Sequence, residues 1–352
     1  MAPRESLVQR VRDRVELGLA KLLLRVPKPL VERVVARRPL VVDGRTLDAE
    51  IHWATLLAAH TGRRPIESGS VERARREYRR MRVLEAEPPS LAEVRELELC
   101  GPGGVIAARV YRATLELGAP IVVYYHGGGG VIGDLDTHDV VCRRLAATTA
   151  AIVVAIDYRL APEHAFSAAT DDCIAGYRWV LAHAPELCGD ATRVAVAGDS
   201  QGGKLAAVVC QLARAQGLAQ PRLQVLIYPG TDLVEAWPSA QLHADGPWLT
   251  ASLVEWFKHH GMGGADPSDP RVSPLRASSL AGLAPALVVV AGFDPLRDEG
   301  IAYAERLREA GVPVQLRDEL SLPHGFVQMV GISAAARAAM DAISAELAAA
   351  LA

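Results

Sequence analysis

From about residue 90 onward, short runs of consecutive apolar residues alternate with longer segments whose apolar residues recur at helical spacing. Continuous apolar runs separated by helices are typical of parallel strands that are covered on both faces. The first two runs are too close together for a crossover helix, so we expect them to form a hairpin at one edge of the sheet. The pattern predicts an α/β fold with a mostly parallel eight-stranded sheet. The predicted strands are 94–100, 105–112, 120–126, 151–157, 193–198, 223–228, 286–292 and 312–318, and the predicted helices are 138–149, 170–183, 201–216, 298–310 and 332–350.

Residues 1–85 have a different pattern, with frequent arginines and apolar residues at helical spacing. We predict that they form a helical arm, and that an insertion at about 229–275 within the main domain, 86–352, completes a helical cap over the carboxyl edge of the sheet. Contact of the arm's basic face with an anionic membrane surface is the weaker alternative, because acidic residues dilute that face. The apolar positions are Leu7, Val11, Val15, Leu19 and Leu22, with breaks predicted at Pro27, Pro29 and Pro39.

Composition narrows the classes of partner. The chain has 352 residues, a formal net charge of −3 and a pI near 6.4, so no global positive field favours nucleic acid. The cysteines are odd in number and lack CxxC spacing, which favours buried free thiols. There is no apolar signal core and no apolar run of about 18 residues, so we expect a cytoplasmic protein with a small-molecule partner. The cysteines are Cys100, Cys142, Cys173, Cys188 and Cys210.

The stretch GDSQGGK at 198–204 fits two different kinds of site. Read as GxSxG around Ser200, it is a nucleophile elbow between a strand and a helix; read through to Lys204, it is a phosphate-binding loop. A phosphate-binding loop needs a serine or threonine after its lysine to ligate magnesium, and this position is Leu205. The nucleophile elbow is therefore favoured over a nucleotide hydrolase.

A serine nucleophile needs a base and an acid that orients the base, both on loops at the carboxyl edge of the sheet. Among the histidines beyond Ser200, His324 alone follows the last predicted strand, whereas three lie in the insertion. Asp294 directly follows the strand 286–292 and is the candidate acid, with Asp298 one helical turn later as the alternative. A role for Asp294 as N-cap of the next helix also stays open. The other histidines are His243, His259 and His260.

A run of glycines follows the third predicted strand in PIVVYYHGGGG. Glycine lets the backbone approach a ligand closely, so residues 127–130 predict a loop whose N–H groups bind an oxyanion beside the elbow. The acidic and histidine residues that follow lack a standard ligand spacing, so we interpret them as the start of a helix and predict no metal. They are Asp134, Asp136, His138 and Asp139.

Five motifs occur in order along most of 94–330: HGGGGVIGDLDTHD (126–139), DYRLAPEHAFSAATDDC (157–173), GDSQGGKLAA (198–207), GFDPLRDEG (292–300) and HGF (324–326). In sequence and in order they resemble the hormone-sensitive-lipase-like carboxylesterases, family IV, of the α/β-hydrolase superfamily. The resemblance implies an α/β-hydrolase fold with a helical cap.

The resemblance further implies a serine carboxylesterase that hydrolyses short- to medium-chain esters through an acyl-enzyme intermediate, without metal or organic cofactor. Ser200 would be the nucleophile, His324 the base and Asp294 its acid. The resemblance is also compatible with a homodimer. The implied oxyanion donors are the N–H groups of Gly128, Gly129 and Gln201, the residues assigned to substrate binding are Gly130 and Trp248, and those interpreted as structural are His126, Tyr158, Arg159 and Glu163.

Three positions depart from the family pattern. Gly130 replaces a residue that is usually aromatic, Gln201 replaces alanine, and Lys204 replaces asparagine. None of them removes a catalytic group, so we expect an altered substrate preference rather than a different reaction. Two alternatives use the same scaffold: a non-catalytic small-molecule binding protein, which the presence of His324 disfavours, and a lipase that acts at a lipid surface.

Overall fold

The structure, a computed structural model, describes residues 18, 22–24, 26–61 and 64–352. A small hairpin joins β1 (Val41–Val42) and β2 (Arg45–Thr46). The main sheet contains β3 (Glu93–Gly101), β4 (Gly104–Arg112), β5 (Ala119–Tyr125), β6 (Ile152–Asp157), β7 (Gly189–Asp199), β8 (Gln224–Ile227), β9 (Ala286–Phe293) and β10 (Val314–Pro323). Its strand order is β10-β9-β8-β7-β5-β6-β4-β3.

The main sheet is parallel from β10 to β6, while β4 pairs antiparallel with both β6 and β3. The predicted eight strands and the hairpin at one edge are confirmed. Parallel strands end at the same edge of a sheet, so the loops that follow β5, β7, β9 and β10 lie near one another. These four loops carry the glycine run, Ser200, Asp294 and His324.

The predicted end of the last strand is wrong. The sequence pattern ends it at residue 318, whereas β10 continues to Pro323. Because β10 is an edge strand, its side chains alternate in exposure, and a search for continuous apolar runs misses its polar second half. The extension ends β10 directly before His324.

Helices cover both faces of the sheet. One face packs against α5, α6 and α9 through side chains such as Tyr177, Val209 and Leu307. The other face packs against α4 and α10 through side chains such as Leu145 and Leu347. Besides the helical residues 18 and 22–24, the described α-helices are α1 (Lys28–Val35), α2 (Ala49–His60), α3 (Val71–Arg80), α4 (Asp139–Thr149), α5 (Phe166–His183), α6 (Gln201–Ala215), α7 (Pro238–Leu242), α8 (Ala251–Gly261), α9 (Arg297–Glu309) and α10 (Ala334–Leu351).

The first described helices belong to the predicted arm. The break predicted at Pro29 is wrong, because Pro29 lies in the first turn of α1, where a helix needs no N–H donor. Helices α2 and α3 begin at side-chain caps: Asp48 accepts from the N–H of Ile51, and Ser70 from that of Arg73. Four of the predicted apolar positions, Leu7, Val11, Val15 and Leu19, lie outside the described residues.

The arm and the insertion meet above the loop that follows β5. Val71 and Ala74 of α3 are buried against Val131 and Ile132, and Phe257 of α8 packs on the same cluster. The Ser252 hydroxyl donates a hydrogen bond of 2.7 Å to the carboxylate of Glu67, which joins the two segments directly. The division of the chain into domains near residue 85 stays a prediction.

All five cysteines are free. Three of them are buried as expected: Cys142, Cys173 and Cys210. Cys188 is partly exposed, and Cys100 is exposed because it lies on the edge strand β3 and faces solvent. None of the described helices combines the length and the apolar character that a bilayer crossing requires.

Candidate active site

Ser200 lies in a sharp turn between β7 and α6. Its backbone has φ 56° and ψ −119°, an unusual conformation for a residue with a Cβ. The turn needs glycine on both sides of the serine: a Cβ at Gly202 would lie 1.9 Å from the carbonyl oxygen of Tyr125, and one at Gly198 would lie 2.4 Å from that of Gly202. Steric constraints therefore explain the GxSxG pattern and leave the Ser200 side chain on the wall of a cavity.

A continuous hydrogen-bonded chain runs from this serine to a buried carboxylate. His324 Nε2 lies 2.9 Å from Ser200 Oγ, and His324 Nδ1 lies 2.8 Å from Asp294 Oδ2. The side chain of Asp294 is fully buried, and His324 is 8% exposed. The second oxygen of Asp294 accepts a 2.8 Å hydrogen bond from the N–H of Leu296, which fixes the carboxylate.

The structure distinguishes the two candidate acids. Asp298 does not contact His324: it accepts a hydrogen bond of 2.8 Å from the N–H of Ser239 and another of 2.9 Å from Arg297. The N-cap of α9 is Leu296 rather than Asp294. Asp294 thus closes the turn before α9 with one oxygen and contacts the imidazole with the other.

The glycine run forms a tight loop after β5. Gly128, Gly129 and Gly130 have φ values of 116°, 62° and 73°, which favour glycine. A Cβ at Gly128 would lie 2.2 Å from the carbonyl oxygen of Ile132, and one at Gly129 would lie 2.4 Å from the ring of Phe257. At positions 128 and 129 only glycine fits without a rearrangement.

The loop and the elbow meet at the same cavity. Gly129, Gly130, Ser200 and Gln201 all line it. Gln201 is the first residue of α6, and the first N–H groups of a helix have no acceptor within the helix. Backbone donors from two different loops are thereby available beside the serine hydroxyl.

Asp199, which the sequence analysis did not single out, holds the glycine loop against the elbow. Its Oδ1 accepts hydrogen bonds from the Tyr124 hydroxyl at 2.7 Å and the Gly127 N–H at 3.0 Å, and lies 3.4 Å from His138 Nε2. Burial alone would raise the pKa of Asp199, but His138 and the hydrogen bonds lower it below its ordinary value. Asp199 in turn raises the pKa of His138 against the effect of burial. The available sequence signal was its position directly before the nucleophile.

Arg75 of α3 is a second residue that the sequence analysis missed. Its guanidinium donates to the carbonyl oxygen of Val131 at 2.9 Å and to that of Ala161 at 3.1 Å. It also forms two 2.7 Å hydrogen bonds with the carboxylate of Glu163. One side chain thus connects the arm, the glycine loop and the segment after β6. In an arginine-rich helix nothing in the sequence distinguishes this arginine from its neighbours.

The polar residues interpreted as structural do shape the surroundings of the site. His126 stacks on Tyr158 with 4.4 Å between ring centroids, and burial lowers the pKa of His126 to about 4. The Tyr158 hydroxyl donates to the carbonyl oxygen of His126 at 2.7 Å. Arg159 forms two 2.8 Å hydrogen bonds with the buried carboxylate of Asp172. These contacts fix the backbone on either side of the glycine loop.

The acidic residues before α4 are held by arginines. Asp134 accepts a hydrogen bond from the N–H of Thr137 and pairs with Arg79 at 2.6 Å, while Asp136 pairs with Arg109 at 3.0 Å. Asp139 begins α4, in agreement with the interpretation of this segment as a helix start. Among the described residues, no three histidine, cysteine or acidic side chains are grouped in a way that could hold a metal ion.

The cavity beside Ser200 has a volume of about 840 Å³, including its open mouth. Gly130 lines it as expected, but Trp248 does not: its ring packs on the core around α4 and α10, and Leu249 faces the cavity in its place. Trp248 has φ 75°, and this backbone turn directs its side chain away from the cavity. Apolar side chains on the cavity wall are Phe166, Leu233, Leu249, Val254, Phe257, Met262, Val272 and Leu296.

Two of the three departures from the family pattern are neighbours in space. A Cβ at Gly130 would lie 3.5 Å from the side-chain nitrogen of Gln201. The space in which a side chain at position 130 would begin is therefore bordered by the Gln201 amide. Together these two departures place a side-chain amide in a cavity wall that is otherwise mainly apolar.

Comparisons with known proteins agree with this geometry. Residues 122–328 match a family model described as alpha/beta hydrolase fold. The chain is 44% identical over 324 residues to the carboxylic ester hydrolase LipN of Mycobacterium tuberculosis. The match covers 90% of this chain and 86% of LipN. It is 40% identical over 277 residues to the ethyl acetate hydrolase of Pseudomonas putida, covering 76% of this chain and 86% of that enzyme.

Solved structures of esterases have the same fold. An ester hydrolase from the metagenome of Lake Arreo, solved with a bipyridine phosphonate derivative, has a TM-score of 0.80 and 41% identity, covering 83% of this chain and 94% of its own. The hyperthermophilic esterase of Pyrobaculum calidifontis has a TM-score of 0.80 and 38% identity, covering 87% of this chain and 99% of its own. This chain therefore belongs to the α/β-hydrolase superfamily and, within it, to the hormone-sensitive-lipase-like carboxylesterases.

Proposed function

We propose that this protein is a serine carboxylesterase in which Ser200 is the nucleophile, His324 the general base and Asp294 the group that orients the imidazole. The observation that carries the proposal is the chain of hydrogen bonds from Ser200 Oγ through His324 to Asp294 at the wall of the cavity. The ester hydrolases among its relatives support the same type of reaction.

In the first half of the reaction, His324 Nε2 removes the proton of the Ser200 hydroxyl as Oγ attacks the ester carbonyl. Asp294 is buried and cannot be hydrated, so its negative charge stabilises the imidazolium that forms. Collapse of the tetrahedral intermediate transfers this proton from His324 to the leaving alkoxide, and an acyl-enzyme remains on Ser200.

In the second half, water replaces the alcohol. His324 removes a proton from the water molecule, the resulting hydroxide attacks the acyl carbonyl, and the proton returns to Ser200 Oγ as the acid leaves. The negative oxygen of both tetrahedral intermediates needs fixed donors. We assign this role to the backbone N–H groups of Gly128, Gly129 and Gln201, which belong to the two loops that Asp199 holds together.

The cavity favours short- to medium-chain acyl groups. Its walls are mainly apolar, and α8 covers it on one side through Val254 and Phe257, which limits the length of chain that it encloses. Gly130 is assigned to substrate contact because it lines this cavity. The homodimer, the cytoplasmic location and a membrane contact of the arm stay predictions from the sequence.

Hydrolysis of 4-nitrophenyl esters from acetate to palmitate tests the proposal. We expect turnover that is greatest at a short or medium chain and falls about 10⁶-fold in Ser200→Ala, the scale reported for loss of the nucleophile in a serine hydrolase. Absence of turnover for every ester in the folded wild-type protein, or persistence of turnover in Ser200→Ala, would refute it.

A further inference from the structure

Three lysine and arginine side chains line the cavity, and two of them are paired with neighbouring carboxylates. Arg159 pairs with Asp172, and Lys258 pairs with Glu255 at 2.8 Å. The side chain of Lys204 makes neither a salt bridge nor a hydrogen bond with any residue that the structure describes. It is nevertheless only 8% exposed. A buried lysine that lacks a salt bridge and a hydrogen bond is unfavourable, so an anionic ligand that reaches its ammonium group would offset this cost.

Glu299 acts electrostatically on Lys204 but forms no salt bridge with it. Glu299 is buried, and its carboxyl oxygen accepts hydrogen bonds from the N–H groups of Thr231 at 2.6 Å and Asp232 at 3.3 Å. Burial raises the pKa of Glu299 to about 8. Burial lowers the pKa of Lys204 to about 8, with Glu299 partly opposing this effect. The backbone thus engages the Glu299 carboxyl, and no salt bridge joins it to Lys204.

A second polar group lies on the same side of α6. Gln201 is three residues before Lys204, a spacing that places both side chains on one helix face. Its side-chain amide borders the space left open at Gly130 and forms no hydrogen bond with the described part of the protein. Both residues lie in the first turn of α6, where the helix dipole favours negative charge. No aspartate or glutamate is among the described residues that line the cavity.

We infer that the preferred substrates are esters that carry a free carboxylate, with Lys204 as the specificity-determining cation and the Gln201 amide as a neutral donor beside it. The inference rests on the proposed esterase function and deepens it by naming the substrate class. One ammonium and one amide match the single charge of a carboxylate better than the double charge of a phosphate monoester. Four residues of helix rise by about 6 Å, so Lys204 is close enough to Ser200 for a carboxylate a few carbons from the reacting carbonyl.

Matched pairs of neutral and charged esters test this inference by pH-stat titration. In the acyl-side pairs, the monoethyl esters of succinate, glutarate and adipate are compared with ethyl esters in which an isopropyl group replaces the carboxylate. In the alcohol-side pair, carboxymethyl butyrate is compared with isobutyl butyrate. We expect at least one charged ester to have a kcat/KM about tenfold above that of its neutral partner, a difference of about 1.4 kcal/mol. The pair that shows it identifies the side of the ester that reaches Lys204.

The variant Lys204→Met keeps the length of the side chain and removes its charge. We expect the ratio of charged to neutral kcat/KM to fall at least tenfold in Lys204→Met, and to stay within twofold of the wild-type ratio in Lys258→Met, because Lys258 is already paired. Lys204→Gln replaces Lys204→Met if thermal unfolding shows that the latter does not fold. A wild-type ratio of one or less for every pair, an unchanged ratio in Lys204→Met, or an equal fall in Lys258→Met overturns the inference.

The outcome is separable from that of the proposed function. If wild-type protein hydrolyses the neutral esters but shows no preference for the charged ones, the inference fails and the esterase function stands. If it hydrolyses neither, the esterase function fails. Calorimetry of monoethyl glutarate with Ser200→Ala then tests the subsite alone. Binding to Ser200→Ala that is lost in the double variant Ser200→Ala, Lys204→Met supports the inference. Absence of binding to Ser200→Ala overturns it.

Discussion

The backbone of Ser200 is strained, and relief of this strain is expected to stabilise the protein. A residue with a Cβ at φ 56° and ψ −119° costs about 1–3 kcal/mol in folding free energy. Glycine removes that cost, but makes the unfolded chain more flexible, which offsets about 0.4–1 kcal/mol. Ser200→Ala keeps the strain and loses the same hydroxyl and the same hydrogen bond to His324. We therefore expect Ser200→Gly to be more stable than Ser200→Ala by about 1 kcal/mol.

Urea unfolding of the two variants measures this difference, provided that their m-values agree. Ala277 offers a control, because its φ of −57° and ψ of 139° are ordinary for alanine. Ala277→Gly loses the same Cβ without relieving strain, so it should destabilise the protein by at least about 0.4–1 kcal/mol. A Ser200→Gly variant that is no more stable than Ser200→Ala would show that the strain at the elbow does not exceed the offset of about 0.4–1 kcal/mol, and would refute the reasoning.

Three further outcomes follow from individual contacts. In Asp294→Asn, kcat should fall about 10⁴-fold because the amide favours the wrong tautomer of His324; a fall below tenfold in 4-nitrophenyl ester hydrolysis would contradict its orienting role. In Arg75→Met, kcat/KM should fall about tenfold, because the glycine loop loses the hydrogen bond from this guanidinium. The control Arg79→Met loses a more exposed ion pair with Asp134 and should change kcat/KM less than twofold. Equal effects would argue against a positioning role of Arg75. Because burial raises the folded-state pKa of Glu299 to about 8, its contribution to stability is present below pH 4.5 and lost as pH rises to 8. Urea unfolding measures how far the free energy of unfolding falls between pH 5 and pH 7.5. This fall should be at least about 1 kcal/mol smaller in Glu299→Gln than in wild type, and equal falls would contradict the raised pKa.

Much of the fold could be predicted from the sequence because its signals are local. Continuous apolar runs identify buried parallel strands, and the glycines around Ser200 reflect clashes with residues close in the chain or in the next strand. His324 and Asp294 were identified from their positions after strands, since parallel strands bring those loops to one edge. The end of β10 was missed because an edge strand is only half buried and lacks the continuous apolar signal.

Contacts between distant parts of the chain could not be predicted in this way. Asp199 and Arg75 act through partners on other elements, and the backbone turn that directs Trp248 away from the cavity has no signature in sequence. By itself, the sequence determined the sheet and the candidate residues Ser200, His324 and Asp294 at its carboxyl edge, because each position depends on strand order and on short-range sterics. Only the tertiary structure decided that Lys204 lies buried on the cavity wall with no salt bridge to any described residue, because charge pairing depends on which side chains distant segments bring within a few ångströms.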